Sequence, residues 1–392
     1  MTTETIEIAQ SKQEFQFWHV LPISVGHLIN DLYTSCIAPL LPVIIEKLSL
    51  SLTAVGSLIA IMQLPSMLNP FIGYLADKAS LRYFVILTPA ITATLISSMG
   101  FASNYFSLAI IFFTTGISIA CFHAPAPAMI SRVSGRQIGL GMSLFMAGGE
   151  LARTIGPLLA VWAVSTWTLE GIYRLVVLGW AASIVLYLRL RDIPARMGKP
   201  GSLKGLYPVL RTLFLPLFFV ILLQNFLREC LSTFLPTYMY LGGGSLWESG
   251  QALFFYELAG VAGALVGGTL SDKLGRRLIL ILVAILAPIF MFIFLQIEGR
   301  MIVPVLLALG FTSLSTLPVI MAMVQDYVPS HRAMGNGLYM FMTFALRPIA
   351  LLGIGYLGDQ IGLEQVFYWS AWISLLSIPA ILALPTKPKP SF

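Results

Sequence analysis

The amino-acid sequence predicts an all-α polytopic membrane protein, with twelve transmembrane helices in two pseudo-symmetric six-helix bundles. Three observations lead there. Charged residues make up 10% and apolar residues 57% of the 392 positions, against roughly 25% charged in an average soluble domain. So little polar surface cannot face water on every side, and in lipid only helices or closed barrels satisfy their own backbone groups. Second, apolar windows long enough to cross about 30 Å of hydrocarbon recur twelve times along the chain. Third, the stretch Gly268-Thr269-Leu270-Ser271-Asp272-Lys273-Leu274-Gly275-Arg276-Arg277 has a worn copy, Gly73-Tyr74-Leu75-Ala76-Asp77-Lys78-Ala79-Ser80-Leu81-Arg82, displaced by 195 positions. A short charged loop repeated at half the chain length marks two related halves.

In order, the windows fall at 17–44, 52–76, 82–101, 105–130, 138–163, 170–190, 212–240, 248–271, 277–297, 301–325, 334–357 and 363–384. Residues 1–16 are polar, with Glu4, Glu7 and Glu14, and read as a cytoplasmic tail without a cleavable signal. Residues 17–190 form the first six-helix bundle, 191–211 a basic cytoplasmic linker, 212–384 the second bundle and 385–392 a cytoplasmic tail. A second repeat supports this division: Gly139, Phe145 and Met146 of span five recur as Gly335, Phe341 and Met342 of span eleven, 196 positions on. Prolines inside spans, such as Pro39, Pro42, Pro125, Pro127, Pro216, Pro236 and Pro348, are tolerated in lipid where neighbours or a wet cavity satisfy the freed backbone groups. They mark bends rather than ends.

Charge placement sets orientation and excludes nucleic acid as a partner. The net charge is +6, yet with a cytoplasmic N-terminus the Lys and Arg residues divide as 17 inside, 3 outside and 3 within spans. That asymmetry places both termini in the cytoplasm, in a plasma (inner) membrane. Cys36, Cys121 and Cys230 lie in apolar runs and read as small core residues. They imply no disulfide, and no metal site or cofactor is expected.

The repeated loop resembles the loop motif of the major facilitator superfamily, found between spans two and three and again between eight and nine. The second copy fits the pattern throughout, whereas the first has Ser80 for the second glycine and Leu81 for the first arginine. A narrower resemblance rests on Gly26-His27-Leu28-Ile29-Asn30-Asp31-Leu32 in span one and Cys121-Phe122-His123 in span four. Ser134-Gly135, Gly139-Leu140, Gly148-Gly149 and Gly156-Pro157-Leu158-Leu159 around span five extend it. Together they are similar to the fosmidomycin resistance protein branch of that superfamily, which implies proton-driven drug export, hence antibiotic resistance. Such likeness carries the fold; it does not carry the substrate.

Ionisable groups at membrane depth each cost a few kcal/mol, about 2.5–3.5 on insertion scales, so chemistry is expected where they persist. His27 and Asp31, four apart on one helix face with Asn30 beside them, are candidates for proton coupling, or else for hydrogen bonds between helices. Glu150 and Arg153 are three apart on span five and can pair across one turn, either as a structural pair or as a switch opened by a proton or an anion. Arg228 and Glu229 are adjacent on span seven and face different ways. Arg347 of span eleven is the counterpart of Arg153. Guanidinium groups recognise carboxylate, phosphate and phosphonate, so Arg228, Arg153 and Arg347 are candidate substrate groups, with Asn30, Gln224, His123 and Tyr33 beside them. Glu150, Glu229 and Glu257 join Asp31 and His27 as candidate proton carriers, and the same carboxylates are also available to neutralise the arginines.

The loop motif has a mechanical reading. Gly268 is expected to allow close helix approach, while Asp272 with Arg276 or Arg277 caps the loop or bridges to the adjacent half; Gly275 completes the set. Gly73, Asp77 and Arg82 are the weaker copy. A purely topogenic role for these charges is the alternative.

The function expected is therefore a monomeric proton-coupled antiporter that exports a small anionic or amphiphilic molecule by alternating access. The electrical driving force is about 2.3 kcal/mol per charge per 100 mV, and no nucleotide-binding loop is present. Proton symport taking up an organic or phosphorylated anion is the second reading. A non-transporting receptor would not need so many intramembrane charges.

Overall fold

The computed structural model describes residues 14–69, 72, 82–191, 210–327 and 332–385. Among these, every regular element is helical. Span one comprises α1 (Phe17–Ser35) and α2 (Ile37–Leu48); span two begins with α3 (Leu52–Gln63); span three is α4 (Arg82–Ser97). Span four comprises α5 (Tyr105–His123) and α6 (Ala126–Val133), followed by α7 (Ile138–Gly171) and α8 (Val176–Leu190). The second half holds α9 (Leu215–Glu229), α10 (Leu235–Leu241), α11 (Leu246–Leu274), α12 (Arg276–Phe294), α13 (Ile302–Leu314) and α14 (Thr316–Tyr327). It ends with α15 (Arg332–Ile361), α16 (Leu363–Leu375) and α17 (Ser377–Ala383).

Ten described helical stretches are long and apolar enough to cross a membrane. One of them, Ile138–Leu190, runs for 53 residues and is broken at Thr168, whose φ of 65° and ψ of 173° leave the helical region. It holds spans five and six. Leu52–Leu68 is shorter, and the rest of span two lies largely outside the described residues. The twelve-span fold follows.

Spans one, four, seven and ten are each interrupted near a proline. Proline lacks the N–H that an interior helical bond needs and clashes with the carbonyl four residues back. Thus α1 gives way to α2 at Cys36, ahead of Pro39, and α5 to α6 ahead of Pro125 and Pro127. Span seven passes through a π-helical turn, Cys230–Phe234, ahead of Pro236. Span ten breaks at Ser315, ahead of Pro318. His123, Glu229 and Leu314 are the last residues before three of these breaks.

By internal contacts the chain forms two compact units, Met1–Ile37 with Leu68–Pro200, and Ala38–Met67 with Gly201–Phe392. This grouping puts α3 and all of α2 but Ile37, expected in the first bundle, with the second unit.

In the first unit α1 packs on α7, α4 and α8 around a core of Val20, Ile23, Val85, Ile86, Phe122, Phe145 and Leu186. Gly148 and Gly156 of α7 make room for α1: a Cβ at either would lie 2.4 Å from Ser24 O or 2.5 Å from Ser35 Cβ. The second unit gathers α9, α12, α14, α15 and α17 around Leu217, Val220, Leu280, Val319 and Leu346. Within it α3 lies against α15, so closely that a Cβ at Gly56 would come within 2.5 Å of Leu351 O and one at Gly355 within 2.5 Å of Leu52 O.

Candidate functional site

His27 and Asp31 lie one turn apart on α1, and the structure adds His123 from the end of α5. His27 Nε2 is 3.2 Å from Asp31 Oδ2, and His123 Nε2 is 3.3 Å from Asp31 Oδ1. The two Nε2 atoms are 3.3 Å apart. Both Nδ1 atoms face main-chain carbonyls, His27 on Phe145 O at 2.7 Å and His123 on Ile119 O at 3.0 Å. A carbonyl only accepts, so each Nδ1 carries its proton, and each Nε2 is turned to the Asp31 carboxylate. The three side chains converge.

The surroundings hold this geometry. The His27 ring stacks on Phe145, with centroids 4.0 Å apart and planes 15° from parallel. Asn30 is fully buried, donates to Asp31 Oδ1 at 3.2 Å and accepts from Thr92 at 3.0 Å; Thr92 in turn meets Ser118 at 2.8 Å. Asn30, expected to touch substrate, therefore positions Asp31. Tyr33 is 2% exposed; its hydroxyl donates to Leu175 O at 2.6 Å and accepts from Gly179 N at 2.9 Å. Those two bonds give Tyr33 a part in fixing α1 to α8 and leave no donor for a ligand.

The three intramembrane arginines have different fates. Arg153 pairs with Glu150 one turn earlier on α7. Arg347 of α15 pairs with Glu229 of α9 at 2.8 Å, and the Glu229 side chain is only 1% exposed. Thr233 donates a second bond to Glu229, at 2.8 Å. Arg228 instead lines a pocket in the second unit, with Gln224, Asn225, Ser313, Thr316 and Tyr339 among its neighbours. Among the described residues, no acidic residue lines that pocket. Arg228 Nε and Asn225 Nδ2 are buried and, among the described residues, have no hydrogen-bond partner. Gln224 donates to Ser377 at 3.3 Å. Glu257 is buried beside Tyr256, whose hydroxyl meets Ser313 Oγ at 2.9 Å.

The second copy of the loop motif closes upon its own half. α11 ends at Gly275, whose φ of 96° is the left-handed region that favours glycine. Arg276 reaches Asp272 at 2.5 Å, Asp326 of α14 at 3.3 Å and Ser271 at 2.6 Å, while Arg277 donates to Leu382 O of α17. These contacts, of the loop with itself and with α14 and α17, all lie within the second unit. Close approach belongs to Gly263 and Gly267 rather than to Gly268. A Cβ at Gly268 would meet only Pro318 Cβ at 3.8 Å, whereas at Gly263 or Gly267 it would lie 2.1 Å from Phe311 O or 2.6 Å from Ser315 Cβ. Gly73 and Asp77 lie outside the described residues; Arg82 opens α4.

Two features of the site are hidden in the sequence. His123 stands 92 positions after Asp31, and no spacing rule joins residues on separate helices. Asn225 is one turn before Arg228 on α9, an i, i+3 relation that is visible but passes for ordinary helix packing.

The family model of the Major Facilitator Superfamily matches residues 23–346. The fosmidomycin resistance protein of Escherichia coli (strain K12) is 24% identical over 372 residues, covering 92% of this chain and 91% of that protein. The uncharacterized MFS-type transporter YfnC of Bacillus subtilis (strain 168) is likewise 24% identical, over 94% of this chain and 92% of its own. Among solved structures, a bacterial homolog of the human lysosomal transporter Spinster superposes with a TM-score of 0.80 at 15% identity, covering 96% of this chain and 99% of that one. A D-xylose-proton symporter superposes with a TM-score of 0.74 at 13% identity, covering 96% and 98%. With the family matched over most of its length and the helical fold shared, the chain belongs to the major facilitator superfamily and is a multi-pass integral membrane protein.

Proposed function

We propose that this transporter is a proton-coupled antiporter that exports a small organic anion. The observation that carries this reading is the unequal treatment of neighbours on α9: Glu229 is sealed against Arg347, whereas Arg228 faces a pocket without acidic residues. A guanidinium and an amide with unused donors suit a carboxylate, phosphate or phosphonate. Glu229 is the proton partner. Protonation would remove the charge that holds Arg347, and a buried pair that loses one charge rearranges because the other is left uncompensated. Substrate and proton thus act on adjacent residues of one helix, which is the coupling that exchange requires. The resistance named for the Escherichia coli relative favours the outward direction.

Counterflow in proteoliposomes tests the substrate half of this reading with labelled alkylphosphonates, sugar phosphates and carboxylates. At least one anionic compound should exchange, and Arg228→Gln should reduce its exchange by tenfold or more, since a hydrogen bond to a charged group is worth about 1.5–3 kcal/mol. Unchanged exchange in Arg228→Gln, or exchange of neutral analogues alone, contradicts it.

A further inference from the structure

We infer that His27, Asp31 and His123 form a binding site for a divalent transition-metal ion of the zinc class. The cluster belongs to the first unit and shares no residue with the substrate pocket of the second. Imidazole and carboxylate are the donor set that zinc, cobalt and nickel share. Zinc bonds of about 2.0–2.1 Å in a tetrahedron place ligand atoms about 3.3 Å apart. The two Nε2 atoms are 3.3 Å apart, each lies 3.2–3.3 Å from a different oxygen of Asp31, and one ligand atom from each residue falls within 4.8 Å of the others, close enough for one ion to draw them together.

The outer contacts are those a metal site requires. Ligating histidines hand their second nitrogen to a carbonyl or carboxylate, which fixes tautomer and ring orientation. Here Phe145 O and Ile119 O take both Nδ1 protons, and Asn30 donates to the carboxylate. His27 is buried, but the side chains of Asp31 and His123 retain 14% and 27% exposure. That opening leaves the fourth position to water or to an oxygen of a passing ligand. A bound ion joins α1 to α5 at the point where α5 ends.

The test uses the full-length chain purified in detergent and stripped with a chelator. Cobalt(II) should bind at one equivalent with the intense visible absorption of four-coordinate cobalt, and zinc should displace it. X-ray absorption of the zinc form should show oxygen and imidazole neighbours at about 2.0–2.1 Å. His123→Gln changes the most exposed member and should weaken binding by at least ~100-fold, beyond the loss typical of an outer-contact residue. His19→Gln, near the start of α1 and outside the cluster, should leave it unchanged. Zinc should raise the thermal midpoint of the native chain but not of His123→Gln, whose metal-free midpoint reports whether the variant folds. Absence of cobalt binding, a weak six-coordinate spectrum, or equal affinity in His123→Gln overturns the site and shows that the cluster shares protons only. Asp31→Asn repeats the test should His123→Gln fail to fold.

Discussion

Gly149 shows how one missing methyl group shapes the cluster. A Cβ there would lie 2.6 Å from His27 Cε1 and 2.9 Å from Nε2, so the imidazole sits where only glycine leaves space. Gly149→Ala must push the ring off Phe145, and overpacking of this kind costs about 1–3 kcal/mol. Thermal unfolding of the variant should show that loss together with weakened cobalt binding; an unchanged midpoint and unchanged binding would place the ring elsewhere. His27 and Asp31 are readable as a pair in the sequence because four residues return a helix to the same face. His123 reads there only as a ligand contact, since it takes the packing of α5 on its neighbours to turn its Nε2 toward Asp31. Tyr33 misleads for the opposite reason: a hydroxyl in an apolar span signals a polar partner, and here that partner is main chain.

At the scale of helices, the seam between α3 and α15 rests on small residues and one carboxylate. Asp359 near the end of α15 accepts from Leu52 N at 2.7 Å and Thr53 N at 2.8 Å, two of the otherwise unpaired donors at the start of α3. Ser51 caps the same helix through Ala54 N at 3.1 Å. Removal of a capping oxygen typically costs about 0.5–2 kcal/mol, so Asp359→Ala should lower stability by about that much. Asp359→Asn, which keeps an acceptor, should lose less. Equal midpoints for Asp359→Ala and the native chain would mean that Ser51 alone suffices. The twelve spans are legible because apolar length is set by bilayer thickness, and the bends because proline cannot continue the ladder. The pairing of α3 with α15 is not. Gly56, Gly355 and Gly358 stand in the sequence as ordinary small residues, and which helices they bring together is decided by packing.

For the whole molecule, the repeated loop and the duplicated span five reveal the superfamily fold, while the distribution of charge points to an orientation. Substrate chemistry is only partly visible. Three arginines suggest an anion clamp, yet two of them stand in ion pairs with Glu150 and Glu229, and Arg228 alone of the three lines the pocket of the second unit. Charge pairing across helices depends on rotation about each axis, which sequence patterns constrain weakly. In the proposed mechanism, anion recognition therefore falls to Arg228 and proton coupling to Glu229. The most direct measurement is accumulation of a labelled anionic substrate in proteoliposomes under an imposed pH gradient. An acid interior should drive uptake, up to about tenfold per pH unit for one-for-one exchange with the electrical potential held at zero, and Glu229→Gln should exchange substrate while ignoring the gradient. Uptake driven by an acid exterior, or indifferent to pH in the native chain, would contradict proton antiport.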